Sequence, residues 1–260
     1  MKKGLKIVSA VLTCLFMFSA CQRVPITKRR QLNLVPENQL IEMAKVQYAE
    51  FLSTAKVLPE SDPRSKMVTR VGNNIKDNVE AFLKKEHASK RVEGFEWEFK
   101  VVDDPTVNAW CMPGGKVVVY TGILELATDD DLLATVMGHE IAHAIARHGN
   151  ERYSKGIAVQ VGGEVIGASA KSDLFKQSYG LATTLGMLKY SRKNESESDK
   201  LGLVFMALAG YKAEKAVDFW QKMSALGGQK PPQILSTHPS DETRIADIKA
   251  FLPEISKYLN

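Results

Sequence analysis

The stretch MGHEIAHAIARHG, residues 137–149, gathers three of the chain's five histidines among small and apolar residues. Its pattern predicts a helix over residues 132–148, opened by Thr128 ahead of Asp129, Asp130 and Asp131 and stopped at Gly149. His139 and His143 stand four residues apart, about 40° round such a helix, so both imidazoles face one point in space. Glu140 lies about 100° from His139, near enough to reach a water at that point without displacing it. Two readings compete: a metal site that does chemistry, and core histidines satisfied by hydrogen bonds. Burying two imidazoles and a carboxylate on a helix rich in Ala, Ile, Leu and Val leaves charge to be compensated, which makes the second reading costly.

A catalytic zinc takes three protein ligands and keeps one position for water. His148 does not fit as the third, being about 180° round the helix from His139 and about 140° from His143. It reads instead as a last-turn residue favoured by the helix C-terminus. The better candidate lies in KNESESDKLG, residues 193–202, where Glu195 and Asp199 are again four apart on one helix face. Glu195 can ligate the metal while Asp199 takes the free N–H of a ligand histidine. Glu197, about 200° from Glu195, points elsewhere. Alone, this acidic cluster reads as a solvated helix start; beside the paired histidines it reads as the other half of a site.

These motifs resemble the M48 zinc metallopeptidases, a family that includes the Ste-type CAAX prenyl proteases, the heat-shock protease HtpX and envelope lipoprotein proteases related to Oma-type enzymes. The likeness is to a single-domain bacterial lipoprotein branch. It runs from ITKRRQLNLV through NAWCMPGGKVVVYTGIL and GHEIAHAIARHG to NESESDKLGL and STHPSDETRI. The family pattern implies one zinc ion per chain held by His139, His143 and Glu195, with Glu140 as the catalytic glutamate and Asp199 behind a ligand. Ser198 stands where that pattern usually has alanine. The resemblance also implies that the loop carrying His238 approaches the metal, His238 either binding zinc in a resting state or steadying the oxyanion, with Arg244 a second candidate for the latter role. It further places the strand 116–120 beside the metal with one free edge, so that Val118, Val119 and Asn108 would contact an extended substrate peptide. Ordinary sheet packing explains the valines equally well.

The rest of the chain frames this site. With 260 residues and 44% hydrophobic content, a single domain with a substantial core is expected. Phe95, Trp97, Phe99 and Val101 alternate with Glu96, Glu98 and Lys100, the period of a strand with one buried face. Pro113, Gly114 and Gly115 signal a turn into a second strand over 116–121, and the two strands are expected to pair. Helical spacing marks residues 40–52 and 63–87, and after Gly122 only helix and loop follow, over 157–187, 195–209, 213–226 and 241–252. The fold class is therefore α+β, mainly helical, with a small sheet beside the active-site helix; the resemblance makes it zincin-like.

At the start of the chain, Lys2, Lys3 and Lys6 precede an uncharged apolar run over 7–20 that is short for a membrane span and reads as a secretory signal. Phe18-Ser19-Ala20-Cys21 resembles a lipoprotein processing site that leaves Cys21 lipidated; an ordinary cleaved signal is the other reading. The expected domains are a signal peptide over 1–20, the lipidated cysteine and a tether over 21–36, and a metallopeptidase domain over 37–260. In the tether, Lys28, Arg29 and Arg30 form either a solvated cluster or a patch for anionic lipid. Processing leaves Cys111 as the one thiol not lipidated, so no intramolecular disulfide forms. Removing Lys2, Lys3 and Lys6 takes the net charge from +5 to +2, which gives no argument for nucleic acid as a partner.

The expectation that follows is a zinc endopeptidase acting on unfolded or misassembled envelope proteins. It would be lipid-anchored on the periplasmic side, at the outer membrane, because Gln22 does not look like an inner-membrane retention signal. The competing expectation is a zinc-stabilised, chaperone-like assembly factor with low or self-inhibited proteolysis. Glu140 favours the enzyme, since a structural site has no use for it, whereas His238 as a fourth ligand would favour the alternative.

Overall fold

The computed structural model describes residues 21–165, 190–226, 234, 238 and 243–259, so the signal reading over 1–20 lies outside the described residues. Residues 21–36 do not hang free as a tether. Cys21–Arg23 (β1) and Arg30–Leu32 (β2) pair antiparallel, Cys21 opposite Leu32. Val24 and Ile26, in the connection, are buried in the main core. Arg29 is enclosed between two carboxylates rather than solvated. Apolar burial and ion pairing anchor the segment, and neither leaves a helical or strand period in so short a sequence.

Helices Glu37–Thr54 (α1) and Pro63–Lys85 (α2) follow. Proline in the first turn of α2 supplies a preset φ, and the Asp62 carboxylate accepts from the Arg64 N–H at 2.8 Å, which caps the helix. Its apolar stripe, Val68, Val71, Ile75, Val79 and Leu83, is wholly buried against the sheet and the helix that carries the histidines.

Three strands form the main sheet: Glu98–Val102 (β3), Ala109–Met112 (β4) and Lys116–Tyr120 (β5), in the order β3-β5-β4. The expected partners β3 and β5 do pair, in parallel, with Phe99 opposite Val117 and Val101 opposite Val119. β4 runs antiparallel to β5 through the turn at Gly114 and Gly115, whose φ values of 88° and 81° demand glycine. This order corrects the expectation for residues 116–120. β5 is central, paired on both edges, and Val118 and Val119 are buried on opposite faces of the sheet, so neither offers an edge to a peptide. Among the described residues the outer edge of β4 is unpaired, and β4 packs on the histidine helix.

That helix, Asp130–Ile145 (α3), starts two residues before the expected 132 and is capped by Asp129 rather than Thr128; the Asp129 carboxylate accepts from Leu132 N–H at 2.8 Å. It also ends earlier. Arg147 adopts φ 56°, and a new helix, His148–Val165 (α4), begins there. Among the described residues, the other helices of eight or more residues are Arg192–Leu208 (α5), Lys215–Ala225 (α6) and Arg244–Phe251 (α7). Most of the stretch expected as helix over 157–187, and Asp241, lie outside the described residues. The architecture is mainly helical α+β, with α3 and α5 packed along each other at its centre.

Candidate metal centre

The contact between α3 and α5 is made backbone to backbone. A Cβ on Gly202 would lie 2.9 Å from the His139 nitrogen, and one on Gly138 would lie 3.0 Å from the Gly202 oxygen. This approach sets Glu195, two turns before Gly202 on α5, against His139 and His143 on α3. The Glu195 carboxylate lies 3.3 Å from Nε2 of each histidine, and the two Nε2 atoms face each other at 3.2 Å. His238 completes the group, its Nδ1 3.2 Å from Glu195 Oε1 and 3.4 Å from His139 Nε2. Ligand atoms of all four residues fall within 4.8 Å of one another, and each of the residues is at most 3% exposed.

Glu140 sits beside them, its Oε2 3.8 Å from His238 Nε2. Two buried carboxylate oxygens, Glu140 Oε1 and Glu195 Oε2, have no hydrogen-bond partner among the described residues. Orphaned oxygens facing converging imidazole nitrogens fit a divalent cation with nitrogen and oxygen ligands. The electrostatics of Glu195 and His143 agree. Burial pushes the Glu195 carboxyl up, but His143, His139 and His238 outweigh it and hold Glu195 far below the usual carboxylate range. Burial pushes His143 well below its ordinary value, favouring the neutral ring a metal needs, and pushes the Glu140 carboxyl up. Burial also works against a charged His139, yet hydrogen bonding to Asp199 and Glu195 carries it up to about 9.

Asp199 Oδ1 is 2.9 Å from His139 Nδ1, on the ring edge away from the cluster. Arg244 lies there too: its Nη2 donates to Asp199 Oδ1 at 2.6 Å, and its guanidinium stacks 3.2 Å from the Trp220 ring centroid. Arg244 thus lies behind the His139 ring, its Nη2 3.3 Å from His139 Nδ1, while its Nη1 reaches to 3.8 Å from Glu195 Oε2. Asn108 is buried, and its carbonyl accepts from the Tyr120 N–H within the sheet at 3.1 Å. A cleft of about 520 Å³ opens at the cluster, lined by Trp110, Cys111 and Met112 of β4, by Glu140 and His143, and by Tyr190, whose ring centroid is 4.0 Å from that of His143.

His148 departs most from its sequence reading. Because α3 breaks at residues 146–147, His148 folds back, fully buried, with Nδ1 3.0 Å from His143 Nδ1 and Nε2 2.9 Å from Glu197 Oε2. Glu197, expected to point away, is buried and shared among His148, Arg29 and Thr27. Tyr190, Trp220, His148 and Glu197 are residues of the site that helical spacing misses. The one hint in the sequence was the third histidine of the opening stretch.

Fold and site together define a metallopeptidase. Comparison with known proteins gives the same class: the profile of Peptidase family M48 matches residues 70–252. Mitochondrial metalloendopeptidase OMA1 of Schizosaccharomyces pombe is 36% identical over 244 residues, covering 92% of this chain and 68% of the relative. Mitochondrial metalloendopeptidase OMA1 of Homo sapiens is 30% identical over 265 residues, covering 95% of this chain and 49% of the relative. The Escherichia coli beta-barrel assembly-enhancing protease is 29% identical over 164 residues, 59% of this chain and 34% of the relative. The chain belongs to peptidase family M48. It spans about half the length of the vertebrate relatives it matches.

These relatives overturn the expected address at the periplasmic face of an outer membrane. Relatives named as mitochondrial from Schizosaccharomyces pombe, Saccharomyces cerevisiae and Homo sapiens match 92–95% of the chain. The basic and apolar run behind that expectation specifies hydrophobicity, a property that several targeting routes share. Among the described residues, no helix is long and apolar enough to cross a membrane.

Proposed function

We propose that the chain is a zinc-dependent endopeptidase that cleaves polypeptides held in extended form, with unfolded or misassembled proteins as its substrate class. The observation that carries this reading is Glu140, a buried carboxylate with an oxygen that has no partner among the described residues, set beside a His-His-Glu group at a cleft bordered by a strand edge unpaired among those residues. Relatives named as metalloendopeptidases support cleavage within a chain.

The chemistry that zinc supplies at such a ligand set is polarisation of the scissile carbonyl and activation of water near neutral pH. His139, His143 and Glu195 hold the ion. Asp199 accepts the His139 Nδ1 proton, which leaves Nε2 to face the metal, and Arg244 holds Asp199 in turn. Glu140 takes a proton from the attacking water and passes it to the leaving amine; burial raises its pKa toward the range a general base needs. The outer edge of β4, in place of Val118 and Val119, offers backbone groups to the substrate strand.

A second reading, of an assembly factor with self-inhibited proteolysis, draws on the position of His238 among the ligand atoms. Glu140→Gln tests the main reading. It keeps the shape and removes the base, so zinc measured by metal analysis stays near one per chain while casein cleavage falls by about two to four orders of magnitude. Retained turnover in that variant refutes the mechanism, and a parent chain without zinc refutes the metal.

A further inference from the structure

Each ligand histidine needs a partner on the nitrogen that faces away from the metal, and the partners differ. His139 meets the Asp199 carboxylate directly. His143 meets another imidazole. With His143 Nε2 turned to the cluster, its Nδ1–H donates to His148 Nδ1 at 3.0 Å, and His148 Nε2–H then donates to Glu197 Oε2 at 2.9 Å. Donor meets acceptor at each step, with His148 neutral and protonated on Nε2. The Ser198 hydroxyl lies 3.2 Å from the same His148 Nδ1.

Glu197 is held from the far side by the N-terminal hairpin. Arg29 Nε donates to its Oε2 at 2.7 Å, and the Thr27 hydroxyl donates to Oε1. Arg29 is itself fixed by a bidentate pair with Glu151, at 2.9 and 2.7 Å. Thr27 is flanked by two residues in the left-handed region, Ile26 at φ 61° and Lys28 at φ 54°. A β-branched residue adopts that conformation only where its surroundings impose it, and strain of this kind gathers at functional sites. The hairpin also lies outside residues 70–252, the span matched by the family profile.

We infer that the N-terminal hairpin is a working part of the metal centre: Thr27 and Arg29 hold Glu197, Glu197 holds His148, and His148 fixes the tautomer and orientation of His143. His148, Glu197 and Arg29 are positioning residues, and the inference rests on the reading of the cluster as a zinc site.

The test is zinc affinity of the full chain, measured by competition with a chromophoric chelator, alongside circular dichroism and thermal unfolding of the zinc-stripped protein. Glu197→Gln and His148→Phe weaken zinc binding by about 10- to 100-fold, and Arg29→Met by about 10-fold. His148→Gln, whose amide restores one acceptor and one donor, binds zinc more tightly than His148→Phe. Val79→Ala, a core truncation outside this network, lowers the unfolding temperature and leaves zinc affinity within about twofold of the parent. Folded Glu197→Gln and Arg29→Met chains with parental zinc affinity overturn the inference, as does equal affinity of the two His148 variants. A parent that binds no zinc fails the zinc reading itself, and the inference with it.

Discussion

Replacing Gly202 with alanine tests what sets the metal ligands apart from one another. The added Cβ would lie 2.9 Å from the His139 nitrogen, 3.0 Å from the Gly138 carbonyl carbon and 3.1 Å from the His139 Cα, all backbone atoms that no rotamer change can move. Ordinary contact begins near 3.4 Å, so α5 must withdraw from α3 by about 0.5 Å. Glu195 lies two turns earlier on α5 and moves with it, whereas functional metal sites hold their ligand distances to about 0.2 Å. The strain lowers stability by about 1–3 kcal/mol. Thermal unfolding with and without zinc, chelator competition and casein cleavage measure the two effects separately. Gly202→Ala should fold, melt lower, and bind zinc more weakly by on the order of tenfold. Gly138→Ala, which meets a single carbonyl oxygen at 3.0 Å, should show the same effects more mildly. A folded Gly202→Ala chain with parental zinc affinity and turnover would refute the claim that helix separation fixes the ligand set.

Three other outcomes follow from the same geometry. His238→Ala removes a ligand atom 3.2 Å from Glu195 Oε1, so casein cleavage should rise; a fall would assign His238 to the oxyanion instead. Glu151 is held at about 2 against an ordinary 4.5: burial pushes it up, but Arg29 and Lys155 outweigh that. A depressed carboxylate pKa stabilises the fold fully above about 4.5 and loses that effect as pH falls toward 2, a change of up to about 3 kcal/mol. Urea unfolding across that range should therefore show a steep loss in the parent and a flatter profile in Glu151→Gln. Asp62→Ala deletes the cap of α2 and should cost about 1 kcal/mol in unfolding free energy with zinc affinity unchanged.

The pairs that obey a single helix were legible in the sequence. His139 with His143, and Glu195 with Asp199, sit where a four-residue spacing puts them, because each pair lies inside one unbroken helix. His148 was misplaced because the same arithmetic carried it across a break. No glycine marks that break: Gln31 Nε2 donates to the Ala146 carbonyl at 2.7 Å and Arg91 Nη1 to that of Ile145 at 3.3 Å, so side chains more than fifty residues away satisfy the helix end. Sequence rules see a glycine stop, and here the stop is tertiary. β4 escaped notice for a related reason. Ala-Trp-Cys-Met has no apolar and polar alternation, since β4 has its two ends buried and its middle half-buried in the cleft. The run Val117-Val118-Val119 was legible as a strand, but its central place depended on β4 being there to flank it.

Among the described residues, the four residues of β4 present one open backbone edge at the metal cleft. An edge of this kind recognises main-chain N–H and C=O groups, which every sequence supplies, and it needs them uncommitted. A folded domain has already spent those groups on its own helices and sheets. On the proposed reading, selection at this cleft acts on conformation first and on side chains second. The proposed enzyme would then take a protein as substrate when a segment loses its internal hydrogen bonds and release it from that role when it refolds, gauging folding state without reading any particular signal.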